Sequence, residues 1–296
     1  MSDLPEPESE RQSTPFLVLQ FFIFPMAIVA VCVAVFVVFG LIAAEGKSAR
    51  EYVNEVRSGG ANRRWQAAFE LSKLIQASKD KAQDDPRFVD ELVRLFQDAE
   101  KDDPRVRRYL ALALGRIGDA RALPALLETV SRAGPDSDSE TLIYSIWALG
   151  AIRDGAAIPE LVRLAASDDA GLRKAAVHAL GSMPGDPPRA RLLESLHDAA
   201  EDVRWNAAIA LAHRGDAAAM PVLRTMLDRS HLGTIAGLTP EQREEAMLAA
   251  VSAASSLSDP ELQSALQQLS RSDASLRVRE AASAALRTRP ATAPSR

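Results

Sequence analysis

DPRVRRYLALALGRIGD, residues 103–119, is written four times in this chain with variations. In this copy Val106, Leu110, Ala113 and Leu114 stand nine, five, two and one residues before Gly115. At about 100° per residue these positions fall on one side of a helix, which makes that side the core face. The other copies are SETLIYSIWALGAIRD at 139–154, AGLRKAAVHALGSMPGD at 170–186 and EDVRWNAAIALAHRGD at 201–216. Their marker pairs, Leu114-Gly115, Leu149-Gly150, Leu180-Gly181 and Leu211-Ala212, are spaced by 35, 31 and 31 residues. A shorter, leucine-rich segment follows each copy: ALPALLETV, AIPELVRLA, ARLLESLHD and AMPVLRTML. Helix pairs of this kind are apolar on too many faces to stand alone, so neighbours must stack. Weaker copies at 65–74, 245–259 and 276–286 flank the four, as expected where a stack ends and has no neighbour to bury against.

Composition agrees. Apolar residues make up 47% of the chain but aromatics only 5%, so the apolar content is mostly Ala, Leu and Val. That content suits close helix packing, and the predicted fold class is all-α. Gly115, Gly118, Pro124, Gly150, Pro159, Gly181, Pro184 and Pro221 punctuate the helix ends. Two insertions break the period: GPDSDSE at 134–140 and HLGTIAGLTPEQ at 231–242. Both read as surface loops, the second being the better candidate for a mobile or functional one.

The run [VL]-R-x-x-A-x-x-A-L-G, then G-D, then a short leucine-rich helix, resembles the HEAT repeats of the phycobilisome-lyase type. The matching pairs are Val106-Arg107, Leu172-Arg173 and Val203-Arg204, with a weaker Leu276-Arg277. The resemblance implies a HEAT-like α-solenoid of about six to seven helical hairpins over residues 60–288. Such families include scaffolds, proteins of chromophore attachment and several enzymes, so the resemblance speaks to fold and not to function.

No charged residue lies between Arg11 and Glu45. The stretch FLVLQFFIFPMAIVAVCVAVFVVFGLIAA, residues 16–44, exceeds the ~20 residues that cross the hydrocarbon, and a transmembrane helix is expected there. A cleaved signal peptide is the competing reading. The acidic start (Asp3, Glu6, Glu8, Glu10) and the length of the apolar run argue against it. Arg11 alone precedes the span, whereas Lys47, Arg50, Arg57, Arg63 and Arg64 follow it. The positive-inside rule then makes this a single-pass protein of the cell membrane with a cytoplasmic repeat domain. The expected order is a disordered acidic tail (1–15), the span (16–44), a juxtamembrane linker helix (45–59), the solenoid (60–288) and a disordered tail (289–296).

A net charge of −5 gives no electrostatic case for nucleic acid. Cys32 is the single cysteine, so neither a disulfide nor a cysteine metal site is available. Some HEAT-like hydroxylases bind a di-iron centre through repeated His-Glu pairs; here the histidines precede Ala179, Asp198, Arg214 and Leu232. His197-Asp198 with Glu194 is the nearest approach to a ligand cluster. There is no glycine-rich phosphate loop and no nucleophile elbow. No catalytic residue, metal or cofactor is therefore expected.

Arg107, Arg173 and Arg204 recur at one position and raise the idea of a phosphate site. The preferred reading is structural, with each arginine bonding a neighbouring turn and Asp119, Asp154, Asp186 and Asp216 supplying carboxylates. Binding residues are sought instead on the side opposite the core, at positions three, seven and ten before the marker. That stripe contains Arg108, Trp147, Lys174, His178 and Trp205, and Trp and Arg are favoured at binding hot spots. The alternative is that Trp147 and Trp205 pack against the neighbouring repeat. The expected function is a scaffold for membrane-associated protein partners, contacting the bilayer through residues 16–44. The alternative is a lyase-type enzyme or accessory acting on a tetrapyrrole or on a protein that carries one.

Overall fold

A computed structural model of the chain describes residues 23–44, 47–77, 85–134, 137–183 and 189–288. The described residues form helices and short 3-10 turns, with no strand among them. They divide into two units, Met1–Ser48 and Ala49–Arg296.

The first unit contains helix α1, Phe24–Ala44, which is 21 residues long and carries no charged side chain. Its described large apolar side chains are exposed, Phe36 to 83%. The expected span began at residue 16, and residues 16–22 lie outside the described residues, as do the side chains of Pro25 and 38–44. Among the described residues no helix is long and apolar enough to cross a membrane. The described residues thus do not establish the expected span. The expected tails, 1–15 and 289–296, also fall outside them.

The second unit begins with α2, Ala49–Ser58. Ala49, Val53 and Val56 recur every three to four residues and are buried in the core shared with the helices that follow. The segment expected as a linker helix over 45–59 is therefore the first helix of the repeat unit. Six helical pairs follow: α3 (Ala61–Ala77) with α4 (Pro86–Asp98), α5 (Pro104–Ile117) with α6 (Leu123–Ser131), and α7 (Ser139–Ile152) with α8 (Ile158–Leu164). The stack continues with α9 (Ala170–Ser182) and α10 (Arg189–Ser195), then α11 (Glu201–Ala212) and α12 (Met220–Leu227). A short α13 (Arg229–Thr234) precedes the last pair, α14 (Pro240–Ala254) with α15 (Pro260–Ser272), and α16 (Leu276–Thr288) closes the end.

The sequence sets these boundaries by capping. Asp85, Asp103 and Asp259 each accept a backbone N–H from the first turn of α4, α5 and α15. The proline after each takes the position whose N–H is not needed. Asp138, Asp169 and Asp228 cap α7, α9 and α13 in the same way, and Thr239 with Gln242 forms a capping box on α14. Helix α5 ends on Gly118 in the left-handed region, φ 72°, whereas α7 ends there on Arg153, φ 61°.

The first helices of successive pairs lie side by side, and small residues permit the approach. A Cβ added to Gly115 would come 2.7 Å from Ala148 Cα, and one on Gly150 2.9 Å from Ala179 Cα. One on Gly181 would stand 2.7 Å from Ala210 Cβ. The second helices touch one another far less extensively, so the first-helix layer is the tighter side of the stack. The positions read as core (Val106, Leu110, Ala113, Leu114) are fully buried, and the position four before the marker joins them as Ala111, Ile146, Val177 and Ala208.

Two expectations require correction. The last repeat pairs Val278 with Arg279, not Leu276 with Arg277: Val278 is fully buried and Leu276 is 59% exposed. The insertion at 231–242 is not a plain loop. Asp228 starts a helix there, and Leu232 anchors it in the core.

Candidate functional site

Where the stripe residues fall follows from their angle to the marker. Taking the marker as zero, positions seven, three, ten and six before it lie at about 20°, 60°, 80° and 120°. The marker itself is buried as Gly115 and Gly150, so position seven sits at the edge of the buried arc. This explains Trp205, which is only 9% exposed and belongs to the core. Arg108, at the same position, reaches to the next repeat. Its Nη2 lies 2.5 Å from Asp138 Oδ1, and its Nη1 pairs with Glu140. The hydrogen bond from Arg108 is the largest cause holding the Asp138 carboxyl at about 2, and Thr141 assists.

Lys174 remains exposed while its Nζ lies 2.9 Å from Asp202. His178, at position three, is exposed. Trp147, also at position three, is half-buried, with its ring against Gly115. Of the five candidates, Lys174, His178 and part of Trp147 are accessible, Arg108 is engaged between repeats, and Trp205 is buried.

The reading at positions three, seven and ten passed over position six, where Tyr109 and Tyr144 stand, and Phe69, at position three of α3, joins them. Phe69, Tyr109 and Tyr144 form a half-buried row across α3, α5 and α7. The ring centroids of Phe69 and Tyr109 are 5.0 Å apart, and those of Tyr109 and Tyr144 are 6.4 Å apart, edge to face. The Arg105 guanidinium covers the Trp65 ring at 4.4 Å, and Lys73 Nζ stands 5.1 Å from the Phe69 centroid. Part of the signal was present in the sequence: counting six back from Gly115 and Gly150 lands on Tyr109 and Tyr144, whereas Phe69 stands three before Ser72. The result is a contiguous aromatic face, fringed by cations, on the first-helix layer.

The recurring arginines bond neighbouring turns. Arg173 makes a fork to Asp198 at 2.8 and 2.9 Å and donates to the carbonyls of Ser167 and Asp168. Its hydrogen bonds are the largest cause lowering the Asp198 pKa. Arg204 donates to the carbonyls of Asp198 and Ala199, and Arg279 to those of Asp273 and Ala274. Arg64 occupies the same position in α3, bonding Val56 O at 2.7 Å and pairing with Asp102.

The recurring aspartates do something else. Asp119, Asp154 and Asp216 cap the 3-10 turns 120–122, 155–157 and 217–219, because each is the first acceptor available to a turn with free N–H groups. Asp119 also pairs with Arg121, and Asp216 with Arg189. Asp186 lies outside the described residues. At the His197 cluster, Asp198 is occupied by Arg173, and Glu194 pairs with Arg191 at 2.8 Å. Among the described residues no group of three His, Cys, Asp or Glu side chains is placed to hold a metal.

Stacked helical pairs with a closely packed first layer define an α-solenoid. Two family models name its kind. The model described as HEAT repeats matches residues 61–135 and 129–199, and that described as PBS lyase HEAT-like repeat matches residues 203–229. The repeat unit is thus built of HEAT repeats. The complex of CpcE and CpcF of phycocyanin lyase from Nostoc sp. PCC7120 is similar at 20% identity, covering 82% of this chain and 96% of that one, with a TM-score of 0.53. An archaeal HEAT-like repeats protein from Thermococcus onnurineus NA1 is 17% identical over 82% of this chain and 97% of that one, TM-score 0.44. A designed armadillo repeat protein in complex with the peptide (KR)4 is 19% identical over 80% and 97%, TM-score 0.43. At these identities the likeness is one of fold. No curated protein matches the chain in sequence.

Proposed function

We propose that this chain is a single-pass membrane protein whose HEAT solenoid is a scaffold for protein partners at the cytoplasmic face of the cell membrane. The observation that carries the binding half is the aromatic row Phe69–Tyr109–Tyr144 with Trp65 and Trp147 beside it. Half-buried aromatics are rigid, large and amphipathic, which is the composition of binding hot spots. Lys174 and His178 continue the exposed surface on α9.

The membrane half rests on the sequence: residues 16–44 carry no charge, and the described apolar side chains of α1 are exposed. The uncharged stretch continues upstream to Gln12, and Arg50, Arg57, Arg63 and Arg64 lie downstream, on the cytoplasmic side by the positive-inside rule. Sharing one membrane with its partners raises their effective concentration, so modest affinities suffice.

Crosslinking in native membranes followed by mass spectrometry tests the reading, comparing wild type with Tyr109→Ala/His178→Glu. Thermal melts of both proteins keep loss of fold distinguishable from loss of binding. Partners captured by wild type and lost from an equally stable variant support the aromatic face. An unchanged set of partners moves the binding site elsewhere on the molecule. A colourless protein agrees with the scaffold, whereas visible absorbance would favour a tetrapyrrole-directed activity.

A further inference from the structure

Arg107 stands at the ladder position of Arg64, Arg173, Arg204 and Arg279, yet its surroundings differ from theirs. Arg64, Arg173 and Arg204 each meet a carboxylate: Asp102, Asp198 and Glu201 respectively. Arg107 Nη2 donates to Thr129 Oγ1 at 3.0 Å, and the guanidinium lies 5.0 Å from the Phe96 ring centroid. Its Nε is buried and has no hydrogen-bond partner. Burial lowers the Arg107 pKa, with Glu100 and Glu128 acting against that and Arg132 with it. A cavity of about 590 Å³ opens beside this group, with Arg107, Thr129 and Arg132 in its wall.

Register shows what is missing. Leu126 and Val130 of α6 are buried as Leu192 and Leu196 are in and after α10. That alignment sets Arg132 opposite Asp198, because each lies six residues after the first leucine of its pair. The carboxylate that closes the fork of Arg173 is replaced beside Arg107 by a second guanidinium. A buried, unmatched N–H is costly, so the geometry calls for an acceptor from outside the chain.

We propose that this cavity binds a carboxylate, which takes against Arg107 the place that Asp198 takes against Arg173. A singly charged group fits better than a phosphate dianion. Four acids also line the cavity, and Asp102, Glu128 and Asp138 are matched by Arg64, Arg132 and Arg108. Glu100 stays exposed, and no carboxylate-to-cation pair neutralises it among the described ion pairs, so a second negative charge would be repelled. The carboxylate comes from an acidic side chain in a protein segment or from a free small acid, and the chemistry of the site is the same for both. The site is separate from the aromatic row and does not depend on it.

Calorimetry on the full chain tests this with N-acetyl-glutamate, its uncharged isostere N-acetyl-glutamine, and the peptide acetyl-AAEAA-amide. The acid binds at least about tenfold more tightly than the amide, a preference expected of a charged hydrogen-bonded pair. Arg107→Met abolishes the preference, and Arg107→Lys, which keeps the charge but loses the fork, weakens it. Arg132→Asp restores the internal pattern of the Arg173 repeat, so it abolishes binding while raising the melting temperature. That last result cannot arise from misfolding. Peptide affinity well above that of the free acid assigns the site to a protein segment, and equal affinity assigns it to a small acid. Equal binding of acid and amide by wild type, or a preference that survives Arg107→Met, overturns the proposal.

Discussion

Arg108 and Asp138 illustrate how single residues tie this stack together. Asp138 accepts the Thr141 N–H as the cap of α7 and, from the same carboxylate, two hydrogen bonds from Arg108 on α5. Its pKa is held at about 2, below the ordinary 3.8. A depressed carboxyl contributes stability that is complete above pH about 4 and is lost as pH falls through about 2. Asp138→Asn keeps a capping oxygen and removes the charge. The expected loss at pH 6 is roughly 1 kcal/mol, less than the full shift implies because the pair is partly exposed. Urea unfolding at pH 6, 4 and 2.5 checks this: the gap between variant and wild type narrows toward the lowest pH. A gap that stays constant with pH would mean the charge is not its source.

Among the elements, the first helices carry the tightest constraint. Gly150 has Ala179 backbone and Cβ atoms both 2.9 Å from where its own Cβ would stand. Neither can swing away like the end of a long side chain, so Gly150→Ala forces α7 from α9 despite the better helix propensity of alanine. The expected cost is about 1–3 kcal/mol. Gly134→Ala, with nothing within 4 Å, serves as the neutral control. Thermal melts compare the two, and equal stabilities would show that α7 and α9 are not in tight contact at Gly150.

The same constraint explains what could be read in advance. A glycine forced by helix contact leaves a fixed mark, and the four central pairs were legible from Gly115, Gly150, Gly181 and their leucines. The final repeat has no such glycine. Two Val/Leu-Arg pairs stand two residues apart there, and burial of Val278, Ala282 and Ala285 selects the second. Helix α13 was hidden because its single buried anchor, Leu232, makes no period. The stripe opposite the core was legible in part: Lys174 and His178 are exposed, while Trp205 sits where the accessible arc meets the buried one. The aromatic row joins Tyr109 and Tyr144 at position six to Phe69 at position three, so no single period in the sequence marks it.

At the scale of the whole molecule, the proposal to test is that the apolar stretch 16–44 holds the HEAT solenoid to a bilayer. The chain supplies its own probe, because Cys32 is the one cysteine and lies within α1. A thiol buried in hydrocarbon is out of reach of a charged, impermeant maleimide. The measurement is maleimide labelling of the full chain in native membranes, before and after the bilayer is dissolved in detergent. Cys32 unlabelled in intact membranes and labelled in detergent is the predicted result. Full labelling in intact membranes, or a chain that leaves the membrane in alkaline carbonate, would contradict it.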